Sequence, residues 1–171
     1  DFFIEIHKHS KPNSSIYSAT GDPLDQISIL RPVTIDVSHE INKGEKDAGA
    51  MFQGWPASYA DIKGQLTFER SHLIDIEKSL KDDSNICTVI LGASGTGKST
   101  LARQAVTRLH DKAYRCWEHK GHHTLLSDQW RDVAKHLAKN NENGLLFIDD
   151  AHSHLSEINK LIDLVVSDEL N

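Results

Sequence analysis

The sequence has little cysteine, no long apolar run and no excess of positive charge. Two cysteines in 171 residues are too few for a disulfide framework, so we expect Cys87 and Cys116 to be reduced, buried thiols of a cytoplasmic protein. The apolar runs have the length of strands, as in Leu145–Ile148. A membrane-spanning helix needs roughly 20 apolar residues, so we expect no membrane partner.

The charge balance does not favour nucleic-acid backbones as partners. Lys and Arg total 19 against 25 Asp and Glu, which gives a formal charge of -6. A net negative field repels a polyanion, and only a local basic patch would overcome it. Hydrophobic residues make up 38% of the chain and charged residues 26%, so the chain can bury a core.

The first third of the chain has a pattern of strands and turns. Phe2–Ile6 is apolar and β-prone, and Val33–Val37 alternates as a strand with one wet face does. We therefore predict a small β-rich region over residues 1–60, either the end of an upstream domain or a linker. Near its end, Trp55 and Tyr59 fit a local packing cluster better than an interdomain contact.

From residue 61 onward, helix and strand patterns alternate. Strands are predicted at Ile86–Leu91, Ala113–Trp117 and Leu145–Asp149, and helices at Ser71–Leu80, Lys98–His110, Trp130–Ala138 and Leu155–Val165. Repeated β-α units predict a parallel sheet covered by helices, a three-layer α/β fold. We predict this domain over residues 61–171, incomplete at its C-terminus.

A glycine-rich loop follows the first of these strands. The candidate nucleotide-binding residues are Gly92, Ala93, Ser94, Gly95, Thr96, Gly97, Lys98, Ser99 and Thr100. They match the phosphate-binding pattern G-x-x-x-x-G-K-[ST] without mismatch. Glycines let successive N–H groups turn inward, and the following helix directs its positive end at the same anion. We expect Lys98 to reach the β- and γ-phosphates, Ser99 to bind Mg²⁺ and Thr100 to lie near the α-phosphate.

Two carboxylates end the last predicted strand. If this strand lies beside the strand before the glycine loop, Asp149 comes close to Ser99 and can hold Mg²⁺ through its water shell. Asp150 is then placed to orient or deprotonate an attacking water. The alternative interpretation is a solvated Asp-Asp turn at a strand end.

The loop Gly92–Thr100 together with Leu145–His152 resembles the additional-strand P-loop ATPases, and the Ile-Asp-Asp-Ala-His ending resembles their STAND branch, which is close to AAA+ proteins. STAND denotes signal-transduction ATPases with numerous domains. Phe68-Glu69-Arg70 is similar to the Phe-x-Gly-Arg element that opens such modules near the adenine, but it lacks the glycine.

The resemblance implies an ATP-dependent regulatory switch in a larger signalling or defence protein, with ATP and Mg²⁺ as ligands. Its partners would be further copies of itself or other domains of the same longer protein. Members of the class continue with a sensor strand, a fifth strand and a helical lid. Only three strands precede Asn171 in this pattern, so we expect the natural domain to continue, and the isolated chain to bind nucleotide weakly and hydrolyse it poorly.

The leading hypothesis is therefore an ATPase in which Lys98 and Asp150 are catalytic. A small-molecule kinase is the first alternative, because such kinases use similar glycine loops, and a non-catalytic nucleotide-binding scaffold is the second. The sequence has no Asn-Lys-x-Asp guanine signature and no Leu-Ser-Gly-Gly transporter signature. Three histidines, His119, His122 and His123, suggest either a metal site or a solvated loop, and the loop is the preferred interpretation.

Overall fold

The computed structural model describes residues 2–7, 23–43, 48–82 and 84–169. Within these ranges the strands are β1 (Phe2–His7), β2 (Thr34–Asp36), β3 (Cys87–Val89), β4 (Arg115–His119) and β5 (Gly144–Ile148). The helices are α1 (Pro23–Gln26), α2 (Val37–Lys43), α3 (Ala48–Phe52), α4 (Tyr59–Lys63), α5 (His72–Leu80), α6 (Lys98–His110), α7 (Ser127–Asn140) and α8 (Leu155–Ser167). Two 3-10 turns, Ser28–Val33 and Ala151–His154, precede β2 and α8.

All five strands belong to one mixed sheet with the order β2-β4-β5-β1-β3. Strands β4 and β5 are parallel, as their predicted βα connection requires. Strand β2 is antiparallel to β4, and β1 is antiparallel to both β5 and β3. The expectation of a parallel sheet is thus corrected. The strands predicted after residue 61 run in one direction, but the two earlier strands run against them.

Strand β1 lies between the strand that precedes the glycine loop and the strand that ends in the carboxylates. Phe2 pairs with Val89 on one side and with Ile148 on the other. The two motif strands are therefore second neighbours, and the expectation that they lie side by side is wrong. Both strands of the first third are built into the same sheet as the later elements, but the described residues of that third contain more helix than strand, so the expectation of a β-rich region is wrong for them. The domain division at residue 60 stays a prediction.

Alternation along β1 and β5 places apolar side chains on both faces of the sheet. Phe3 and Phe147, whose ring centroids are 5.3 Å apart, face the helices α5 and α6. Ile4 and Leu146 point the other way, into a cluster with α7 and α8. Trp130 on α7 is fully buried there, as expected for a side chain on the apolar stripe of a helix.

The edge strand β3 is shorter and more exposed than the sequence predicts. It covers Cys87–Val89 rather than Ile86–Leu91, and Leu91 is 87% exposed. Among the described strands β3 pairs only with β1, so its outer edge is not covered by another strand. Both cysteines are free thiols, with Cys116 buried and Cys87 half-buried, and burial raises the pKa of Cys87 to about 11. No helix within the described ranges combines the length and apolar character needed to span a membrane.

Candidate functional site

The glycine loop joins β3 to α6 and depends on backbone angles that only glycine adopts at low cost. Gly95 has φ +73° and Gly97 has φ +77°, both in the left-handed region. Gly97 immediately precedes α6, which begins at Lys98 as predicted. The first N–H groups of α6 have no partner within the helix, so the positive end of its dipole opens at the loop.

Side chains of the loop fold back on its own backbone. The Lys98 ammonium donates to the Ala93 carbonyl oxygen at 2.9 Å, and the Thr96 hydroxyl donates to the same oxygen at 2.8 Å. From outside the loop, Arg70 Nη1 donates to the Thr96 carbonyl oxygen at 2.6 Å. A methyl group added at Gly97 would lie 2.9 Å from Arg70 Nη2, so the guanidinium packs directly on the loop.

The two carboxylates follow the fully buried strand β5. Asp149 is half-buried, while Asp150 is exposed and has φ +49°. Positive φ is uncommon for a residue with a side chain and indicates a locally strained turn. The Asp150 N–H donates to Asp149 Oδ1 at 3.0 Å, which fixes the first carboxylate relative to the backbone of the second.

The loop and the carboxylates line one cavity of about 400 Å³. Its lining from these two segments is Ser94, Gly95, Gly97, Lys98, Ser99, Thr100, Asp149 and Asp150. The cavity therefore brings Lys98 and Ser99 together with Asp149 and Asp150, although some fifty residues separate the two pairs in sequence. Gly92, Ala93 and Thr96 lie outside this lining, and the last two contribute carbonyl oxygens that accept the bonds described above.

A further wall of the cavity comes from a segment that the sequence assigned to the preceding region. Met51, Gly54, Trp55 and Pro56 line it beside the loop. Trp55 is 68% exposed, so the predicted packing cluster is wrong for this residue. Tyr59, in contrast, is buried. The aromatic character of residues 51–56 was the available signal, but it does not say which partner the segment faces.

A buried charged network lies behind the cavity, and the sequence analysis missed it. Arg103 on α6 binds Glu118 on β4 through Nε (3.0 Å) and Nη2 (2.8 Å), and the Tyr59 hydroxyl donates to Glu118 at 2.6 Å. Burial alone would lower the pKa of Arg103, but the bonds to Glu118 raise it, and the charge of Asp149 adds to this. Burial and the Glu118 charge raise the pKa of Tyr59 well above its usual value.

The histidines do not form a metal site among the residues that the structure describes. His119 is buried, its Nε2 donates to the His123 carbonyl oxygen at 2.8 Å, and its ring meets His154 edge-on at 5.0 Å. Burial lowers the pKa of His119. His122 and His123 are exposed, which fits the loop interpretation.

The oxygen donors in the cavity suit a hard divalent cation. The Ser99 hydroxyl and the Asp149 carboxylate line the cavity together with the Lys98 ammonium. Mg²⁺ takes oxygen ligands, keeps several waters, and is commonly held by one or two carboxylates together with substrate phosphates. These residues fit that donor set.

A P-loop NTPase has a strand, a glycine loop and a helix N-terminus that meet the carboxylate-bearing end of another strand around one cavity. The described residues have this arrangement. The model of the family Novel STAND NTPase 5 matches residues 50–171, and the chain belongs to this family. Searches of curated proteins and of solved structures gave no match. The chain is thus a nucleotide-binding NTPase module. The matched segment includes the loop, the carboxylates and the wall around Trp55.

Proposed function

We propose that this chain is the ATP-binding and ATP-hydrolysing part of a STAND switch of the additional-strand class. The observation that supports it is the common cavity of Lys98, Ser99, Asp149 and Asp150. An ammonium, a hydroxyl, a half-buried carboxylate and an exposed carboxylate are the groups needed to bind a phosphate chain, hold its cation and position a water.

Each of these residues has a separate role in the proposal. Lys98 exchanges its bond to the Ala93 carbonyl for the β- and γ-phosphates and neutralises their charge, aided by the N–H groups of the loop and of α6. Ser99 and Asp149 hold Mg²⁺, which when bound offsets phosphate charge and orients the phosphate chain. Thr100 lies beside Ser99 in the cavity. There it would contact the α-phosphate of the bound nucleotide.

Asp150 acts on the attacking water. Its carboxylate accepts a proton as the water oxygen bonds to the γ-phosphorus, while the bond from that phosphorus to the β–γ bridging oxygen breaks. The products are ADP and inorganic phosphate. Asp150 is exposed at the cavity, where water reaches it, whereas Asp149 is partly shielded, and this difference supports their separate assignment.

The regulatory part of the proposal rests on the family. A STAND module would belong to a longer cytoplasmic protein in which nucleotide exchange or hydrolysis controls self-association or contacts with other domains. Residues outside this chain would supply the sensor and lid of an AAA+-like domain. The outer edge of β3 has no partner among the described strands, which is compatible with further chain packing there.

The test separates binding from hydrolysis in the 171-residue chain. Calorimetry with MgATP should show binding that Lys98→Ala abolishes and Asp150→Asn retains. Phosphate release under single-turnover conditions should be slow in the unmodified chain and at least about a hundredfold slower in Asp150→Asn. Asp163→Asn, the same change at an exposed site on α8, should leave both unchanged.

The same assays distinguish the alternatives. Unchanged hydrolysis in Asp150→Asn would mean that its proposed role is wrong. ATP binding without ATP hydrolysis, in this chain and in the longer protein of the proposal, would favour a non-catalytic nucleotide-binding scaffold. Transfer of the terminal phosphate of ATP to a small acceptor, instead of its release as inorganic phosphate, would favour a kinase.

A further inference from the structure

Backbone hydrogen bonds fix the turn that carries Trp55. After α3, the Trp55 N–H bonds the Ala50 carbonyl at 3.1 Å and the Gly54 N–H bonds the Met51 carbonyl at 3.0 Å. These two bonds, with Gly54 at φ +90°, form a Schellman motif. The chain therefore turns at Gly54 in a conformation that favours glycine, and this turn places Trp55 on the cavity wall.

Ala57 ties the same segment to the helix of the phosphate loop. Its carbonyl accepts from Arg103 Nη1 at 3.0 Å, and its N–H points to the Thr100 hydroxyl at 3.4 Å. Arg103 is in turn held by both oxygens of Glu118. The residues flanking Trp55 are thus fixed to α6 on one side and to the α3 turn on the other.

Trp55 is nevertheless left open. It is 68% exposed, whereas Trp117 and Trp130 are buried in the core at 2% and 0%. Large aromatic side chains contribute most when they are covered. An uncovered indole on a cavity wall, carried by a backbone that hydrogen bonds hold in place, therefore points to a ligand surface. Met51 and Pro56 extend this wall with further apolar surface.

We propose that Trp55 is the stacking surface for the base of a nucleoside triphosphate whose phosphates occupy the glycine loop. This inference rests on the proposed function. The cavity has an apolar wall and a phosphate-binding wall in about 400 Å³, within the usual range for small-molecule sites. Every base has a π-face, so stacking on Trp55 tolerates adenine and guanine alike and gives affinity rather than strict base choice.

Phe68 is the competing aromatic. It belongs to the Phe68-Glu69-Arg70 element whose resemblance implies a place near the base. Phe68 is 88% exposed and lies outside the lining of this cavity, while Arg70 from the same element contacts the loop backbone. Trp55 lines the cavity and Phe68 does not, and this difference favours Trp55 as the residue that stacks on the base.

The experiment compares MgATP with magnesium tripolyphosphate, which has the phosphate chain without the base. Trp55→Ala should weaken MgATP binding about tenfold or more and leave tripolyphosphate binding unchanged. Trp55→Phe should recover most of the affinity, because it keeps a stacking ring. Ile74→Ala, at an exposed apolar residue on α5, serves as the surface control and should change neither.

Intrinsic fluorescence supplies a second readout. Acrylamide should quench Trp55 selectively, because the other two tryptophans are buried, and MgATP but not tripolyphosphate should shield it. Tripolyphosphate binding without shielding by MgATP, or a loss of affinity in Phe68→Ala but not in Trp55→Ala, would overturn the stacking proposal alone. If the unmodified chain binds neither probe, the proposed function itself is wrong and the stacking proposal falls with it.

Discussion

The Arg103 guanidinium binds both oxygens of the Glu118 carboxylate, with nitrogen–oxygen distances of 3.0 and 2.8 Å, across the packing of α6 on β4. The exposed fractions of the two side chains are 18% and 5%. Paired charges with this little exposure are costly to separate, because the remaining charge keeps its desolvation penalty.

Arg103→Leu should therefore destabilise the chain by about 3–5 kcal/mol in urea unfolding, because Glu118 is left buried without its cation. The matched control is Lys160→Ala, which breaks the exposed pair with Asp128 and should cost less than about 1 kcal/mol. Tyr59→Phe removes only the third bond to Glu118 and should cost about 1–2 kcal/mol. Equal losses for Arg103→Leu and Lys160→Ala would contradict the role of burial.

Alanine substitutions in the glycine loop should separate backbone strain from side-chain contact. Gly95→Ala and Gly97→Ala should each cost about 1–2 kcal/mol, because both residues have positive φ. Only Gly97 lies against Arg70, and nothing approaches a methyl group at Gly95. A double-mutant cycle with Arg70→Ala should give a coupling of at least about 0.5 kcal/mol for Gly97→Ala and none for Gly95→Ala. Identical coupling at both glycines would disprove the contact.

Glu77 should make the stability depend on pH in the acid range. Burial opposes its ionisation, but hydrogen bonds from Lys112, Arg108 and Lys81 lower the pKa of Glu77 to about 2, from an unfolded value near 4.5. A carboxyl whose pKa is lower in the folded state stabilises the fold above the unfolded pKa, and this contribution is lost as pH falls towards 2.

Unfolding curves of the unmodified chain and Glu77→Gln, measured between pH 6 and pH 2, should therefore converge as pH falls. The difference above pH 5 should be about 1–2 kcal/mol, since the basic partners are partly exposed and solvent screens them. Parallel curves would show that Glu77 does not carry the effect. Other titrating carboxyls are common to both proteins and cancel in the comparison.

Phe3→Ala should loosen the strand that precedes the glycine loop. The Phe3 ring is fully buried against Phe147, so its truncation should cost about 3–5 kcal/mol. Among the described strands β3 pairs with β1 alone. In hydrogen-exchange measurements on Phe3→Ala, the amides of β3 should therefore exchange with solvent faster than those of β4. Phe3→Leu provides a milder variant if the first does not fold, and Val166→Ala on the exposed face of α8 is the control. Unchanged protection of β3 would contradict this dependence.

Local features were predictable because they depend on neighbours in sequence. The apolar spacing of α6 and the G-K-[ST] pattern at Lys98 and Ser99 determine a helix and its start, and the structure confirms both. The sequence predicts the meeting of the loop with Asp149 from two strands lying side by side. The meeting occurs although β1 separates these strands, because strands that run in one direction present their carboxyl ends at one edge.

Placement across the sheet was not predictable in this way. The β-prone pattern of Phe2–Ile6 indicates a strand but not its neighbours, and its pairing with residues near 88 and 147 is a long-range choice. Arg103 and Glu118 lie on different elements with no motif between them, so their pairing depends on packing. The position of Trp55 depends on the turn at Gly54, which composition alone does not reveal.

The register of β1 has a mechanical consequence. Adjacent strands are about 4.8 Å apart, so the interposed strand holds the two motif strands about 10 Å apart, room enough for ligand atoms between their ends. Since Phe2 is matched to Val89 and Ile148 at once, β1 also sets how far the two strands are offset lengthwise. A slip of β1 by two residues against one neighbour would move Lys98 relative to Asp149 by about 7 Å, so the pairing of β1 determines the distance between these two residues.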